Sequence, residues 1–155
     1  MMNDTTSKFL QENFTQQAID SLQQLSGGGS TRVYSRFFDQ NKSYILAEST
    51  NIEENKVFVQ FTSDLKKVID NLPEITSVSD DFTTYVQTDL GDVTLMDKVL
   101  EDFKSAKSYY FKTIEKLAIA QIKGDKTINY DHTFSYPKLD KTLILRDLFQ
   151  FNFYF

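Results

Sequence analysis

The residues whose types and spacing could do chemistry begin with Gly27, Gly28, Gly29 and Ser30, followed by Thr31 and Arg32. Three of the chain's five glycines stand in this one run. Glycine lacks a Cβ, tolerates positive φ and lets a backbone N–H approach a bulky anion. Successive N–H groups in such a turn form a concave anion site. The chemistry this suggests is phosphate binding. Taken alone, the run also fits a flexible hairpin loop.

Other chemistries are bounded by what the chain lacks. It has no cysteine, so it has neither a disulfide framework nor a thiolate metal site. Its one histidine, His132, stands in Asp-His-Thr-Phe and reads as a loop residue. Asp80 and Asp81 are adjacent acids of the kind usually found solvated in a turn. The net charge of −5 argues against a nucleic-acid or anionic-membrane binder, both of which need clustered Lys and Arg. No apolar run reaches the roughly 20 residues that span a bilayer, and the N-terminus lacks a signal-peptide pattern. By elimination the expected location is the cytoplasm.

The elements that must position the glycine run follow from periodicity. Asp4 caps a first helix with Phe9, Leu10 and Phe14 on one face. Ala18–Leu25 fits helical spacing, yet feeds the glycines where a strand would also suit. Arg32–Phe38 and Tyr44–Ala47 read as strands around the polar turn Asp39–Lys42. Glu53–Asp70 is an amphipathic helix through Val57, Phe58, Phe61, Leu65, Val68 and Ile69, with Glu53 and Glu54 in its first turn. Leu72-Pro73 ends it. Ile75–Val78 and Phe82–Gln87 are two more strands, and Thr88–Asp92 is a polar connector. Leu95–Ile122 is one long helix stopped by Gly124. Ile128–Pro137 is irregular, and Leu139–Phe155 is an apolar, heavily aromatic helix that calls for a cover.

The order of elements decides between kinds of glycine loop. A Walker loop needs a lysine and a following helix, and a dinucleotide fingerprint needs the helix too; here a strand follows. Kinase-like folds place the loop between antiparallel strands. Gly27 and Gly29 supply G-x-G, with Arg32 in the third glycine's place. Strand, loop, strand, turn, strand, helix, strand, turn, strand, connector and helix is the order of a kinase small lobe and hinge.

The chain resembles the N-terminal part of the aminoglycoside/choline-kinase-like phosphotransferase family, in the branch of bacterial cell-wall sugar kinases. The residues that carry this are Leu25-Ser-Gly-Gly-Gly-Ser-Thr-Arg-Val-Tyr-Ser-Arg36, Leu72-Pro-Glu-Ile75, Ser79-Asp-Asp81, Tyr85-Val-Gln-Thr-Asp-Leu-Gly-Asp92 and Tyr136-Pro137…Leu139-Asp140. The resemblance implies an α+β fold: a kinase-like N-terminal lobe over residues 1–90, with a five-stranded antiparallel sheet and one packed helix. Residues 91–155 would be a linker and the first helices of a second lobe. Gly27, Gly28, Gly29, Ser30 and Arg32 would lie at the nucleotide phosphates. Gln87, Thr88, Asp89 and Leu90 would form the hinge that meets the base. ATP or GTP with Mg²⁺ and a small-molecule hydroxyl acceptor are the implied reactants.

Two departures from the family matter. Kinases hold the α- and β-phosphates with a lysine on the third strand, paired with a helix glutamate. That strand here reads Tyr44-Ile-Leu-Ala-Glu48, which leaves Glu53 and Glu54 as first-turn acids only, with Arg32 or Arg36 as substitute cations. The family's His-x-Asp…Asn catalytic loop is also absent, because Phe134 stands where the aspartate should follow His132. Catalytic and metal residues are therefore none, and the chain alone is expected to be inactive. The alternative is a non-catalytic interaction or dimerisation module that uses Leu139–Phe155 to dock on another protein or to self-associate.

Overall fold

The computed structural model describes residues 4–26, 31–133, 136 and 138–154. The architecture is α+β, built on a five-stranded antiparallel sheet. Helices α1 (Asp4–Asn13) and α2 (Gln16–Asp20) precede β1 (Gln23–Gln24), β2 (Val33–Asp39) and β3 (Lys42–Glu48). Helix α3 (Ile52–Lys66) then leads to β4 (Ile75–Val78) and β5 (Thr84–Thr88). Helices α4 (Leu95–Glu101), α5 (Phe103–Gly124) and α6 (Lys141–Tyr154) follow, with a 3-10 turn at Tyr130–His132. The strand order is β1-β2-β3-β5-β4.

Register assigns the two faces of the sheet. Phe37 pairs with Tyr44, Ser35 with Leu46, and Leu46 with Val86, so these residues share one face. Phe9, Leu10 and Ala18 of α1 and α2 close over them, and Phe37, Leu46, Val86 and Leu10 are almost wholly buried. Each such side chain contributes about 1.5–3 kcal/mol of burial. Phe14 meets Phe37 edge-on at 4.9 Å, and Phe37 stacks on Tyr44 at 5.5 Å. The opposite face carries Tyr34, Arg36, Ile45, Ala47, Tyr85 and Gln87. Helix α3 lies there, with Phe58 stacked on Tyr85 at 5.2 Å.

The expectation of one packed helix is therefore too small: α1 and α2 cover the face that α3 leaves bare. The ambiguous segment Ala18–Leu25 is two elements, since α2 ends at Asp20 and β1 begins at Gln23. Gln40 and Asn41 both have positive φ, at 48° and 64°, and form the two-residue turn that suits the twist of a hairpin. Strand β5 starts at Thr84 rather than Phe82, because Phe82 sits in the turn with φ 58°. Helix α3 ends at Lys66, so Val68 and Ile69 lie beyond it.

The long helix expected over Leu95–Ile122 is broken at Asp102, whose φ of −158° and ψ of 107° are extended. Its carboxylate accepts from the N–H groups of Lys104 and Ser105 and starts α5. Gly124 does not adopt a left-handed cap; the positive-φ glycine among the described residues is Gly91. A Cβ at Gly124 would lie 2.8 Å from Leu65 Cδ2, so glycine there reflects the close approach of α5 to α3.

Candidate functional site

Of the residues expected at the phosphates, Gly27, Gly28, Gly29 and Ser30 lie outside the described residues. Their flanks are an antiparallel pair. Gln24 is opposite Ser35, and Leu25 N–H donates to the Tyr34 carbonyl at 2.8 Å. The residues on either side of the run are thus paired antiparallel, β1 with β2.

Arg32 stands at the head of β2, and its side chain is only 8% exposed. Its guanidinium lies over the rings of Phe58 and Tyr85, at 5.5 and 5.8 Å. Nη2 donates to Asn55 Oδ1 at 3.0 Å and lies 3.1 Å from Glu54 Oε1. Nη1 reaches the Tyr34 hydroxyl at 3.5 Å. Burial opposes the cation, but Tyr34, Tyr85 and Glu54 outweigh it and hold its pKa above the ordinary value. The same burial pushes the Tyr85 phenol well up.

The glutamate expected to be a first-turn acid only is thus the partner of this cation, while Glu53 pairs with Lys56 at 2.9 Å. The reason is the local fold of the start of α3. Asn51 caps the helix by accepting from Glu54 N–H at 3.3 Å and donates to Glu54 Oε2 at 3.1 Å. Asn55, fully buried, donates to the Phe82 carbonyl at 2.7 Å. These bonds fix Glu54 and Asn55 toward the sheet. Sequence reasoning missed Asn55, Tyr34 and Tyr85 as members of this cluster. The available signal was the step from Glu54 to Asn55 and Phe58 on the sheet-facing side of a helix that follows the third strand.

The residues expected to form the hinge divide. Gln87 and Thr88 belong to β5, and Asp89 and Leu90 follow it. The Thr88 and Asp89 N–H groups donate to the carbonyls of Glu74 and Ser43, at 2.9 and 3.3 Å. Among the described residues Gln87 Oε1 is buried with no hydrogen-bond partner, and Leu90 is exposed. Arg36, the other cation expected as a substitute, is held at this end. It pairs with Asp89 through Nε at 2.6 Å and with Asp92 through Nη1 at 2.7 Å. Burial alone would raise the Asp89 pKa, but the Gly91 N–H and the Arg36 guanidinium reverse this and lower it.

The remaining acids and the histidine stand apart from this cluster. Asp81 accepts from Ser79 Oγ, Thr83 N–H and Thr83 Oγ1 at 2.8–3.0 Å, which makes it the organiser of its turn. His132 and Asp131 border a recess of about 520 Å³ with Glu53, Lys56 and Phe82. Among the described residues no group of three or more histidines or carboxylates could hold a metal ion. A groove of about 710 Å³ runs between the segment that follows α3 and helices α4 and α5, and none of the expected site residues lines it. No described helix is long and apolar enough to cross a membrane.

Compared with known proteins, the chain matches no family model, and no curated protein shows significant sequence similarity to it.

Proposed function

We propose that the chain is the nucleotide-binding small lobe, with the first helices of a second lobe, of a cytoplasmic phosphotransferase. That enzyme would move the γ-phosphoryl group of ATP or GTP, accompanied by Mg²⁺, to a small-molecule hydroxyl such as a sugar's. Residues 1–90 would form the lobe and 91–155 the start of its partner. The observation that carries this reading is the insertion of α3 between β3 and β4, on the sheet face to which β2 directs Arg32. Phosphoryl transfer is catalysed mainly by positioning and charge stabilisation. A cation and a helix acid gathered over one sheet face, next in sequence to a glycine run, suit that task. The base would meet the chain at Gln87–Leu90. With no His-x-Asp…Asn loop in these 155 residues, the reading expects binding without turnover.

Calorimetric titration with MgATP and MgGTP tests it. Saturable binding in the range of about 10 μM to 1 mM is expected for half a cleft. It should be accompanied by exchange protection of residues 25–34 and 87–90. Absence of binding to either nucleotide at millimolar concentration would sink the reading.

A second reading has its own observation. Among the described residues, all the large exposed apolar side chains except Val33 and Phe38 follow residue 89. In α6, Ile144, Leu145, Leu148, Phe149, Phe151, Phe153 and Tyr154 are all exposed. Such a patch marks an interaction surface, and self-association through Leu139–Phe155 would cover it. Light scattering decides: a monomer at about 100 μM, which puts any dimer Kd well above that concentration, rules it out.

A further inference from the structure

The kinase pair of strand lysine and helix glutamate has no lysine here, since β3 carries only Lys42, at its turn end beside Asp39. We infer that Arg32 and Glu54 together replace that pair. Arg32 would be the residue that contacts the nucleotide's phosphates, and Glu54 the positioning residue that aims it. The inference rests on the nucleotide-lobe reading above and adds to it which side chains hold the phosphates.

Three observations select Arg32 over Arg36. Arg32 stands two residues after Ser30, at the exit of the glycine run, whereas Arg36 is committed to Asp89 and Asp92 at the linker. Arg32 is paired with an acid in the first turn of α3, the helix that follows β3. And its plane is set: two aromatic rings lie beneath it, and Glu54 and Asn55 share one terminal nitrogen. A guanidinium presents its donors in a rigid fork that matches phosphate oxygens. The 3.5 Å contact of Nη1 with the Tyr34 hydroxyl is at the long limit of a hydrogen bond. Glu54 is itself restrained through Asn51, so the acid orients the cation instead of following it.

The test compares ADP with adenosine, which share a base and differ in phosphate, for the wild-type chain and for Arg32→Gln, Arg32→Lys and Glu54→Gln. Arg32→Gln should weaken ADP about tenfold or more while adenosine stays within about twofold. Arg32→Lys should retain more ADP affinity than Arg32→Gln, because it keeps the charge. Glu54→Gln should weaken ADP about threefold with adenosine unchanged, as expected of a positioning residue. Equal losses for both ligands, or ADP binding by Arg32→Gln within twofold of wild type, would overturn the inference and leave Arg32 a packing residue. If Arg32→Gln fails to fold, the ADP-to-adenosine ratio in Glu54→Gln decides, and an unchanged ratio overturns it. A wild-type chain that binds neither ligand removes the lobe reading itself, whereas one that binds both equally well removes only the phosphate contact.

Discussion

Arg36 Nε stands 2.6 Å from Asp89 Oδ2, and the carboxylate is almost closed to water. This pair ties β2, the strand that leaves the glycine run, to the first residue after β5. The second arm of Arg36, to the exposed Asp92, extends the tie past Gly91. Strand and linker are thus held at one point by a single side chain.

Asp89→Asn is expected to lower stability, since Arg36 loses the buried one of its two carboxylate partners and keeps only the exposed Asp92. Urea unfolding at pH 7 measures it. The pH dependence has a definite sign. The Asp89 pKa is depressed in the folded chain from its ordinary value of 3.8. Its contribution is therefore fully present above that value and lost as pH falls through the lower folded value. In Asp89→Asn that part of the acid limb should be missing, so the gap between wild type and variant should close below pH 3.8.

Tyr85 should mark the alkaline side. Burial raises its phenol above the ordinary value of 10.0, so the fold favours the protonated form. The stability this supplies is present below pH 10.0 and is lost at higher pH. Titration followed by tyrosinate absorbance should show one phenol that ionises only as the chain unfolds. Tyr85→Phe should remove that step. A Tyr85 signal that titrates near 10 in the folded chain would contradict the packing described for the α3 face.

Leu10→Ala should cost about 2–5 kcal/mol, the range for a buried leucine whose cavity cannot fully collapse. Leu10 is fully buried against the sheet, so the first helix is a structural layer and not an appendage. Leu100, highly exposed on α4, is the control, and Leu100→Ala should fall within about 0.5 kcal/mol of wild type.

Asp102→Ala removes the carboxylate that accepts from Lys104 and Ser105. A loss of about 1 kcal/mol is expected for a helix N-cap. The readout is thermal unfolding together with exchange rates of the first turn of α5. Unchanged exchange at residues 103–106 would mean the helix start is set by tertiary packing instead.

Much of the sheet was legible because its signals are local. Ile75–Val78 was found with its boundaries intact, and the hairpin of β2 and β3 was announced by a polar turn between apolar runs. The break at Asp102 was hidden because apolar residues keep helical spacing on both sides of it, and periodicity does not register an extended residue that caps the next helix. The α2–β1 segment blurred because two short elements fall within one window of a periodicity search. The pairing of Arg32 with Glu54 was out of reach for a different reason. Arg32 and Arg36 stand out as substitute cations, yet the family pattern puts the helix acid's partner on β3. A long side chain can reach the same helix acid from the neighbouring strand, a fact of sheet width that spacing along one strand does not encode.

The layer formed by α1 and α2 has a consequence for how little of the chain can stand alone. A shortened protein beginning at Ser26 would keep the glycine run, the Arg32 cluster and four strands. It would also expose Phe37, Leu46 and Val86 to water along one entire side of the sheet. From the buried Thr84 hydroxyl it would take the shorter contact, with that of Thr6 at 3.1 Å. The segment that precedes the glycine run is therefore what closes the sheet: a unit that folds by itself begins at the first helix, not at the first glycine.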